Sequence, residues 1–380
     1  MPIFAAKKKS VLGIDIGASG VKLVELRNEK GRAFLHTYAY IERASGEAEQ
    51  NALDDPKAAS ELVQKMMKKA KTTTQRAVAG LPIASVFSSV ISVPSGSGKE
   101  LRQAIEWQAK KLIPLPLEEM VLDWKVLGEE IKKTPTSQGL LHKEAGKSMF
   151  SKPVPTGPPE LGKKSNRILL TSAARVLRDK YVAFAKATQL ELVALETEAF
   201  GLIRSLVGKD PSNIMIVDFG AVRTSILIVE KGIPVLTRTI TLGGVTITRA
   251  IARVLGIPEA DAEQMKRDIK QLSAVVGETN GMPGLLAKSL EPLVTEIRFS
   301  MNLHRTQQGE GAKPIEKIIL SGGSAHLPFL ADHLSKELNV NTYVGDPWAR
   351  VAVHEDLRPI LDELGPRFAV AVGLAMRDFE

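Results

Sequence analysis

The sequence has no cysteine among its 380 residues. This absence excludes a disulfide framework, iron–sulfur clusters, thiolate metal sites and cysteine nucleophiles, and it fits a reducing compartment. Histidine is also scarce, and its six residues show no HExxH or HxH spacing, so a histidine-ligated metal site is not expected. The longest apolar run, from Phe368 to Met376, is about half of the roughly 18 residues that a membrane-spanning helix needs.

The N-terminal segment does not read as a secretory signal. Its lysines, Lys7 to Lys9, follow the few apolar residues instead of preceding them. Together with the absence of a long apolar run, this order predicts a cytoplasmic protein.

The basic charge is concentrated in two places. The net charge is +8, of which residues 131–167 supply +6 (eight basic and two acidic residues) and Lys7 to Lys9 supply +3. The rest of the chain is therefore close to neutral, at 8 − 9 = −1, and gives no compositional case for a groove that binds nucleic acid. The stretch 131–167 is rich in proline and lacks apolar periodicity, which predicts a disordered surface loop; an electrostatic tether to anionic lipid or to an acidic partner is the alternative.

One pattern occurs twice. VLGIDIGASGVKLVEL begins at Val11 and IMIVDFGAVRTSILIV begins at Ile214, 203 positions later. Each reads as an apolar strand that ends in Asp-x-Gly, a short polar turn and a second strand. A third strand and a helix follow in both halves: Gly31–Glu42 with Lys57–Lys71, and Gly232–Leu242 with Val245–Leu255. This repeat predicts two related α/β lobes that face each other.

The Asp-x-Gly turns suit phosphate binding. A glycine at a strand end lets backbone N–H groups approach an anion, and the aspartate before it can hold Mg²⁺ through water. A third glycine-rich junction, Ser321-Gly-Gly-Ser324, follows a predicted strand and precedes a predicted helix that Ser324 would cap; its glycines suit close approach of a base or phosphate. Glu263 and Lys266 lie three positions apart, on one face of another predicted helix.

Together these motifs resemble the actin-like ATPase superfamily and, within it, the PilM family of type IV pilus assembly proteins. GIDIGASGVKLVEL resembles the first phosphate motif, VDFGAVRTSILIVEKG the second and IILSGGSAHLPFL the adenosine motif. LGGVTITRAIARVLG with the following AEQMK resembles the helix that reaches the ribose in relatives such as FtsA, and FAVAVGLAMR resembles the closing helix. The resemblance implies an α/β, two-lobed actin-like fold (a duplicated RNase H-like core) with a small inserted α/β subdomain.

The resemblance also implies a division of the chain. Residues 1–93 and 191–213 would form the first lobe, and residues 214–380 the second. Residues 94–190 would form the inserted subdomain, which would carry the basic loop 131–167.

ATP and Mg²⁺ are the cofactors that the resemblance implies. Asp15 and Asp218 would hold Mg²⁺ through water. The nucleotide-binding positions would be Asp15, Gly17, Ser19, Lys22, Asp218, Gly220, Arg223, Thr224, Gly243, Gly244, Glu263, Lys266, Gly322, Gly323 and Ser324.

Two features bear on hydrolysis. Glu198 falls where hydrolytic relatives carry the carboxylate that orients the attacking water, with Glu196 as a substitute. Many relatives have Asp-x-Gly-x-Gly-Thr-Thr in the second phosphate loop, whereas Val222 and Arg223 stand here in place of the second Gly and first Thr. Arg223 would either supply charge to the phosphates or narrow the loop. We therefore expect ATP binding with slow or absent ATPase activity.

By the same resemblance, the protein would be an ATP-binding scaffold of the type IV pilus inner-membrane assembly platform, peripheral to that membrane. Its partner would be a PilN-like membrane protein, whose cytoplasmic N-terminal peptide would insert in a groove of the first lobe and inserted subdomain. Other platform proteins are further expected partners, and self-association stays open.

Two alternatives remain at this level. An FtsA-like filament-forming cytoskeletal ATPase would anchor itself through an amphipathic helix, but the sequence PRFAVAVGLAMRDFE has no basic amphipathic extension. A sugar-kinase-type phosphotransferase would need an aspartate base, and Asp123, Asp179 and Asp346 lie in no recognisable motif.

Overall fold

A computed structural model of the chain describes residues 10–43, 52–96, 98–131, 164–268, 278–279, 282–309 and 313–379. The chain divides into two compact units. The larger unit comprises residues 1–86 and 173–380, and the smaller comprises residues 87–172. The strands, in chain order, are β1 Ser10–Gly17, β2 Gly20–Glu29, β3 Arg32–Glu42, β4 Arg76–Leu81, β5 Val86–Pro94, β6 Met120–Ile131, β7 Lys164–Ala174, β8 Glu191–Thr197, β9 Ile214–Phe219, β10 Thr224–Glu230, β11 Ile233–Ile240, β12 Glu278–Thr279, β13 Met282–Pro283, β14 Lys317–Ser321 and β15 Asn341–Val344.

The helices are named in the same way. They are α1 Pro56–Ala70, α2 Gly98–Leu112, α3 Arg175–Thr188, α4 Glu198–Leu202, α5 Gly244–Leu255, α6 Glu259–Arg267, α7 Gly284–Gln308, α8 Leu330–Leu338 and α9 Arg358–Ala375. A 3₁₀ turn at Ile83–Ser85 follows β4, and a π-helical turn at Ile203–Val207 extends α4.

The two sheets of the larger unit repeat one topology. The first has the strand order β3-β2-β1-β4-β8 and the second β11-β10-β9-β14-β15. In each sheet the first three strands of the repeat are antiparallel neighbours, and the remaining two join them in parallel. The strands correspond one for one, which confirms the predicted duplication and the two-lobed α/β fold.

The predicted helices of the two halves are confirmed with small shifts at their ends. Helix α1 begins at Pro56, after Asp55 accepts hydrogen bonds from the backbone N–H groups of Lys57 and Ala58. Ala59, Val63 and Met66 are its buried apolar side chains. An aspartate cap followed by proline is a typical helix start, because the aspartate accepts from the unpaired N–H groups of the first turn and the proline has no N–H to leave unpaired.

Helices α4 and α9 join the cores of the two lobes. One hydrophobic cluster contains Val11 of the first sheet, Ile216 of the second, and Leu374 of α9. The two helices cross in backbone contact: a Cβ atom on Gly373 would lie 1.8 Å from the carbonyl oxygen of Gly201. Only glycine at this position allows such a close approach.

The smaller unit is a three-stranded sheet, ordered β5-β7-β6, with helix α2. Its bounds differ from the predicted subdomain, 94–190. Helix α3 belongs to the larger unit, because Tyr181 and Phe184 are buried in the core of the first lobe.

The predicted basic loop 131–167 is corrected at both ends. Ile131 ends strand β6, and the segment from Lys164 to Arg167 begins strand β7. Residues 132–163, which make up the rest of the loop, lie outside the described residues. No helix among the described residues is long and apolar enough to cross a membrane.

Candidate functional site

A cavity of about 560 Å³ lies between the two lobes of the larger unit. Strands β1 and β4 run parallel, as do β9 and β14, so in each lobe the carboxyl ends of these strands meet at one edge of the sheet. Fourteen of the sixteen predicted site residues line this cavity: Asp15, Gly17, Ser19, Lys22, Glu198, Asp218, Gly220, Arg223, Gly244, Glu263, Lys266, Gly322, Gly323 and Ser324.

Thr224 and Gly243, which were also predicted to bind nucleotide, are not on the cavity wall. The buried Thr224 donates a hydrogen bond of 2.6 Å from Oγ1 to the carbonyl oxygen of Leu242. Gly243 packs against the second loop, where a Cβ atom would lie 2.3 Å from the carbonyl oxygen of Ala221. Both residues therefore pack beside the loop between β9 and β10 without facing the cavity.

The first loop is a tight turn between β1 and β2. Asp15 and Lys22 are direct cross-strand neighbours, and Lys22 Nζ lies 3.1 Å from Asp15 Oδ2. Gly17 pairs with Gly20, which leaves only two residues in the turn. Gly20 has φ +139, and a Cβ atom there would lie 1.8 Å from the carbonyl oxygen of Ile41. The turn therefore requires glycine for its shape, and the ion pair follows from the strand register.

The second loop differs in length. Phe219 pairs with Thr224, so four residues, 220–223, connect β9 to β10. The backbone N–H of Gly220 donates to the carbonyl oxygen of Arg223 at 3.0 Å and closes the loop. Asp218 occupies the position equivalent to Asp15, but its cross-strand neighbour is Ser225 rather than a lysine.

The start of α5 is fastened to this loop. The N–H groups of Gly244 and Val245 donate to the carbonyl oxygens of Gly220 and Ala221, at 3.0 and 2.9 Å. These helix N–H groups are therefore already satisfied within the protein. Within the described part of the chain, the N–H groups of Ala221, Val222 and Arg223 have no acceptor. Successive free amides of this kind suit an anion.

Three carboxyl groups converge in the cavity. Burial, followed by the negative charge of Asp15, raises the pKa of Asp218 to about 6, although Lys22 opposes the shift. Burial, followed by the charges of Asp15 and then Asp218, raises the pKa of Glu198 to about 8. Asp15 and Asp218 together thus carry more negative charge than Lys22 offsets at neutral pH, which is the environment in which a bound cation is stabilised.

Glu198, the first residue of α4, is held in place by the turn that follows the neighbouring parallel strand β4. The backbone N–H of Ile83 donates to Glu198 Oε2 at 3.1 Å. Gly80 leaves room for the side chain, since a Cβ atom there would lie 3.3 Å from Glu198 Cγ. Glu196, the predicted substitute, is instead paired with Arg204 at 3.0 Å and with Arg377 at 2.8 Å. It does not line the cavity.

Lys266 and Glu263 form a linked pair at the far wall, as their spacing predicted. Lys266 Nζ donates to Glu263, to Thr248 Oγ1 at 2.9 Å and to the carbonyl oxygen of Gly244 at 3.1 Å. Burial lowers the pKa of Lys266, against the opposing effect of Glu263. Burial alone would raise the pKa of Glu263, but the charge and hydrogen bond of Lys266 outweigh it and lower that pKa. The pair ties α6 to α5 beside the cavity.

The third glycine-rich junction is longer than predicted. Helix α8 begins at Leu330, so Ser324 is not its cap. Ser324 donates instead to the second loop, with its N–H to the carbonyl oxygen of Phe219 at 3.0 Å and its Oγ to that of Gly220 at 3.2 Å. Gly322 has φ +86, and a Cβ atom there would lie 2.9 Å from Asp218 Oδ1. This glycine therefore makes room for the carboxylate.

The sequence interpretation missed some of the cavity wall. The segment Pro82–Ser85 lines the cavity and includes the backbone N–H that holds Glu198, but it carries no acidic, basic or glycine-rich motif. Its place after β4, a parallel neighbour of β1, is the signal that would have found it. Arg367 of α9 and Tyr40 of β3 also line the cavity, with the guanidinium of Arg367 5.5 Å from the ring centre of Tyr40.

The residues present fit a magnesium nucleotide. Among the described residues, no group of three or more histidine, aspartate or glutamate side chains is arranged to hold a metal ion on its own. Mg²⁺ in nucleotide sites usually takes one or two carboxylates, with water and phosphate oxygens completing its shell. Asp15 and Asp218 supply two carboxylates, and the second-loop N–H groups that have no acceptor within the described residues supply donors for phosphate.

Comparisons with family models and with solved structures point to the same family. The family model described as type IV pilus assembly protein PilM matches residues 13–146 and 159–379. A solved structure described as the PilM-PilN type IV pilus biogenesis complex is 26% identical and has a TM-score of 0.76, covering 97% of this chain and 98% of that one.

Two further proteins share less with the chain. The cell division protein FtsA of Agrobacterium fabrum (strain C58) is 25% identical over 176 residues, which are 42% of this chain and 38% of FtsA. The chain thus spans less than half the length of that curated relative. The ethanolamine utilization protein EutJ of Carboxydothermus hydrogenoformans is 14% identical with a TM-score of 0.52, covering 98% of this chain and 91% of EutJ, and so shares the fold.

Proposed function

Because the chain belongs to the PilM family of type IV pilus assembly proteins, we propose that it is an ATP-binding, actin-like scaffold of the pilus assembly platform. The observation that carries ATP binding is the convergence of Asp15, Asp218 and Glu198 on one cavity lined by two glycine turns. Such turns bring backbone N–H groups against phosphate, while the carboxylates attract a divalent cation.

Each wall of the cavity has a role in this proposal. Lys22 and the amides of the second loop would bind the phosphates, and Asp15 and Asp218 would hold Mg²⁺ through water. The bound Mg²⁺ supplies positive charge that offsets the phosphates and both carboxylates. The ribose would lie near Glu263 and Lys266, and the adenine near the glycine-rich segment from Gly322 to Ser324, as the resemblance to actin-like ATPases implies.

The carboxyl group of Glu198 limits what the site does to ATP. Burial and the charges of Asp15 and Asp218 raise its pKa to about 8, so only a small fraction of Glu198 is ionised at pH 7 and able to accept a proton from water. It is also held by the N–H of Ile83, 3.1 Å from its Oε2. We therefore propose that ATP is bound with slow or absent hydrolysis.

The test of ATP binding is a thermal-shift titration with MgATP. Ligand at a hundredfold excess over Kd adds about 2.7 kcal/mol to the free energy of unfolding. We expect this stabilisation in the wild-type protein and its loss in Asp218→Asn. That substitution also removes the repulsion from Asp15, so the unliganded variant should be at least as stable as the wild type at pH 8.

Asp332→Asn, at an exposed position on α8, is the matched control and should keep the full MgATP shift. A wild-type protein that is folded and free of nucleotide, yet shows no shift, would contradict ATP binding. An Asp218→Asn variant that shifts as the wild type does would place the nucleotide elsewhere.

The proposed partner is a PilN-like inner-membrane protein, bound through its cytoplasmic N-terminal peptide. Support comes from the similarity to the solved structure described as the PilM-PilN type IV pilus biogenesis complex, which spans 97% of this chain. Such a partner would bring the protein to the cytoplasmic face of the inner membrane. Titration calorimetry with that peptide tests the proposal: we expect saturable binding to the natural sequence and none to a scrambled peptide, and no heat with either would contradict it.

A further inference from the structure

The second loop carries a cation that the first loop does not have. Arg223 is exposed, lies on the cavity wall and directly precedes β10. Its backbone carbonyl closes the loop by accepting from Gly220 at 3.0 Å. Its guanidinium makes no hydrogen bond, ion pair or ring contact with any residue that the structure describes.

Other cations on this wall are already paired. Lys22 is bound to Asp15 at 3.1 Å, and Lys266 and Arg267 share Glu263. Arg367 is paired with Glu42. A paired cation contributes less to an incoming anion, because part of its charge is already offset.

The strand register explains why the cation sits in the loop. In the first loop the lysine is the direct neighbour of Asp15 and binds it. In the second loop that neighbour is Ser225, and the positive charge comes from Arg223, two residues earlier. The loop has four residues instead of two, and its amides from Ala221 to Arg223 have no acceptor within the described ranges. The second loop thus presents an arginine fork together with free N–H donors.

We propose that Arg223 reads the terminal phosphate of the nucleotide and makes the cavity prefer nucleoside triphosphate over diphosphate. Arginine suits this role because its planar guanidinium binds two phosphate oxygens at once, whereas lysine offers a point charge. A triphosphate carries one more charged group than a diphosphate, and the arginine contributes to binding only where that group is present. This inference rests on the proposed function.

The test is titration calorimetry with MgATP and with MgADP, at one ionic strength, on the wild type, Arg223→Ala and Arg223→Lys. We expect Arg223→Ala to weaken MgATP binding by about tenfold to a hundredfold, as expected for a lost charge-assisted hydrogen bond. MgADP binding should change by less than about threefold, because the ligand lacks the group concerned. The MgATP affinity of Arg223→Lys should lie between those of the wild type and Arg223→Ala, because lysine keeps the charge but cannot bind two phosphate oxygens at once.

Arg249→Ala is the matched control, because Arg249 is a cation of the same lobe, paired with Glu259 at 3.3 Å and away from the cavity wall. It should leave both affinities unchanged. Unfolding curves of all variants check that they are folded.

Equal loss of MgATP and MgADP binding in Arg223→Ala, or no loss of either, would overturn the role of Arg223. ATP binding itself would stand in both cases, provided that the wild type binds and Asp218→Asn does not. A folded wild type that binds neither nucleotide would overturn both proposals together.

Discussion

The backbone N–H of Ile83 donates a hydrogen bond to Oε2 of Glu198 across 3.1 Å, although the two residues are 115 positions apart in the chain. The bond joins the turn after β4 to the start of α4, and it fixes a carboxyl group whose pKa is about 8. Glu198 therefore enters the cavity as a protonated acid at neutral pH, which has a measurable consequence for stability.

Glu198→Gln should change how stability depends on pH. The folded protein keeps the Glu198 proton up to about pH 8, whereas the unfolded chain releases it near the ordinary pKa of 4.5. The free energy of unfolding of the wild type should therefore fall as pH rises through this window, by at most about 1.4 kcal/mol per pH unit from this group. Glutamine keeps an acceptor for the N–H of Ile83 but has no proton to lose. The free energy of unfolding of the variant should therefore fall less steeply with pH than that of the wild type.

Urea unfolding between pH 5 and 8.5 provides the measurement. Glu337→Gln, at an exposed ion pair with Arg298, is the control and should follow the wild type. Parallel profiles for Glu198→Gln and the wild type would show that Glu198 has no raised pKa in the folded protein.

Gly322→Ala should destabilise the protein, while Gly323→Ala should not. Gly322 has φ +86, and a Cβ atom would lie 2.5 Å from the carbonyl oxygen of Phe219 as well as close to Asp218. Backbone strain of this kind costs about 1–3 kcal/mol. An added Cβ on Gly323 meets nothing within 4 Å, so its effect should stay within about 0.5 kcal/mol. Chemical unfolding of both variants measures this difference. Equal free energies of unfolding would show that the glycine-rich segment has room for a Cβ atom at Gly322.

Tyr181→Phe should cost about 1–1.5 kcal/mol of stability. The hydroxyl of this buried side chain donates to the carbonyl oxygen of Gly80 at 2.6 Å, and phenylalanine would remove this hydrogen bond. Tyr343→Phe, on the exposed edge strand β15, is the control and should be neutral. If both variants unfold at the same denaturant concentration as the wild type, the buried hydroxyl contributes nothing.

Lys266→Met should weaken the contact between α5 and α6. The ammonium group bonds Glu263, Thr248 and the carbonyl oxygen of Gly244, all of which would lose a partner. We expect a loss of about 1–3 kcal/mol. The neighbouring Arg267 binds the same Glu263 from an exposed position, so Arg267→Met should cost about 0.5 kcal/mol or less. The comparison of the two unfolding curves separates a buried bridge from a surface pair.

The sequence predicts the duplicated fold and most of the cavity wall because both depend on local patterns. Asp15 and Asp218 end apolar strands, and a glycine follows two positions later in each repeat. In each lobe the carboxyl ends of the parallel strands meet at one edge of the sheet, and both edges line the same cavity.

What the sequence does not predict depends on long-range contacts. Ile83 contributes a backbone N–H, which no side-chain pattern reports. Serine is a common helix cap, so Ser324 was predicted to cap the helix that follows. Phe329, with positive φ, instead directly precedes α8, and the helix begins at Leu330. Glu196 and Glu198 are alike in sequence, and only the arginines around Glu196 separate their roles.

A crystal structure of the protein soaked with the magnesium complex of a non-hydrolysable ATP analogue tests the central claim most directly. We predict electron density for the triphosphate between the turns at Gly17 and Gly220, with Mg²⁺ near Asp15 and Asp218 and the terminal phosphate within hydrogen-bond distance of Arg223. Density for the analogue at another surface, or a cavity that stays empty at saturating analogue, would contradict the assignment of this cavity as the nucleotide site.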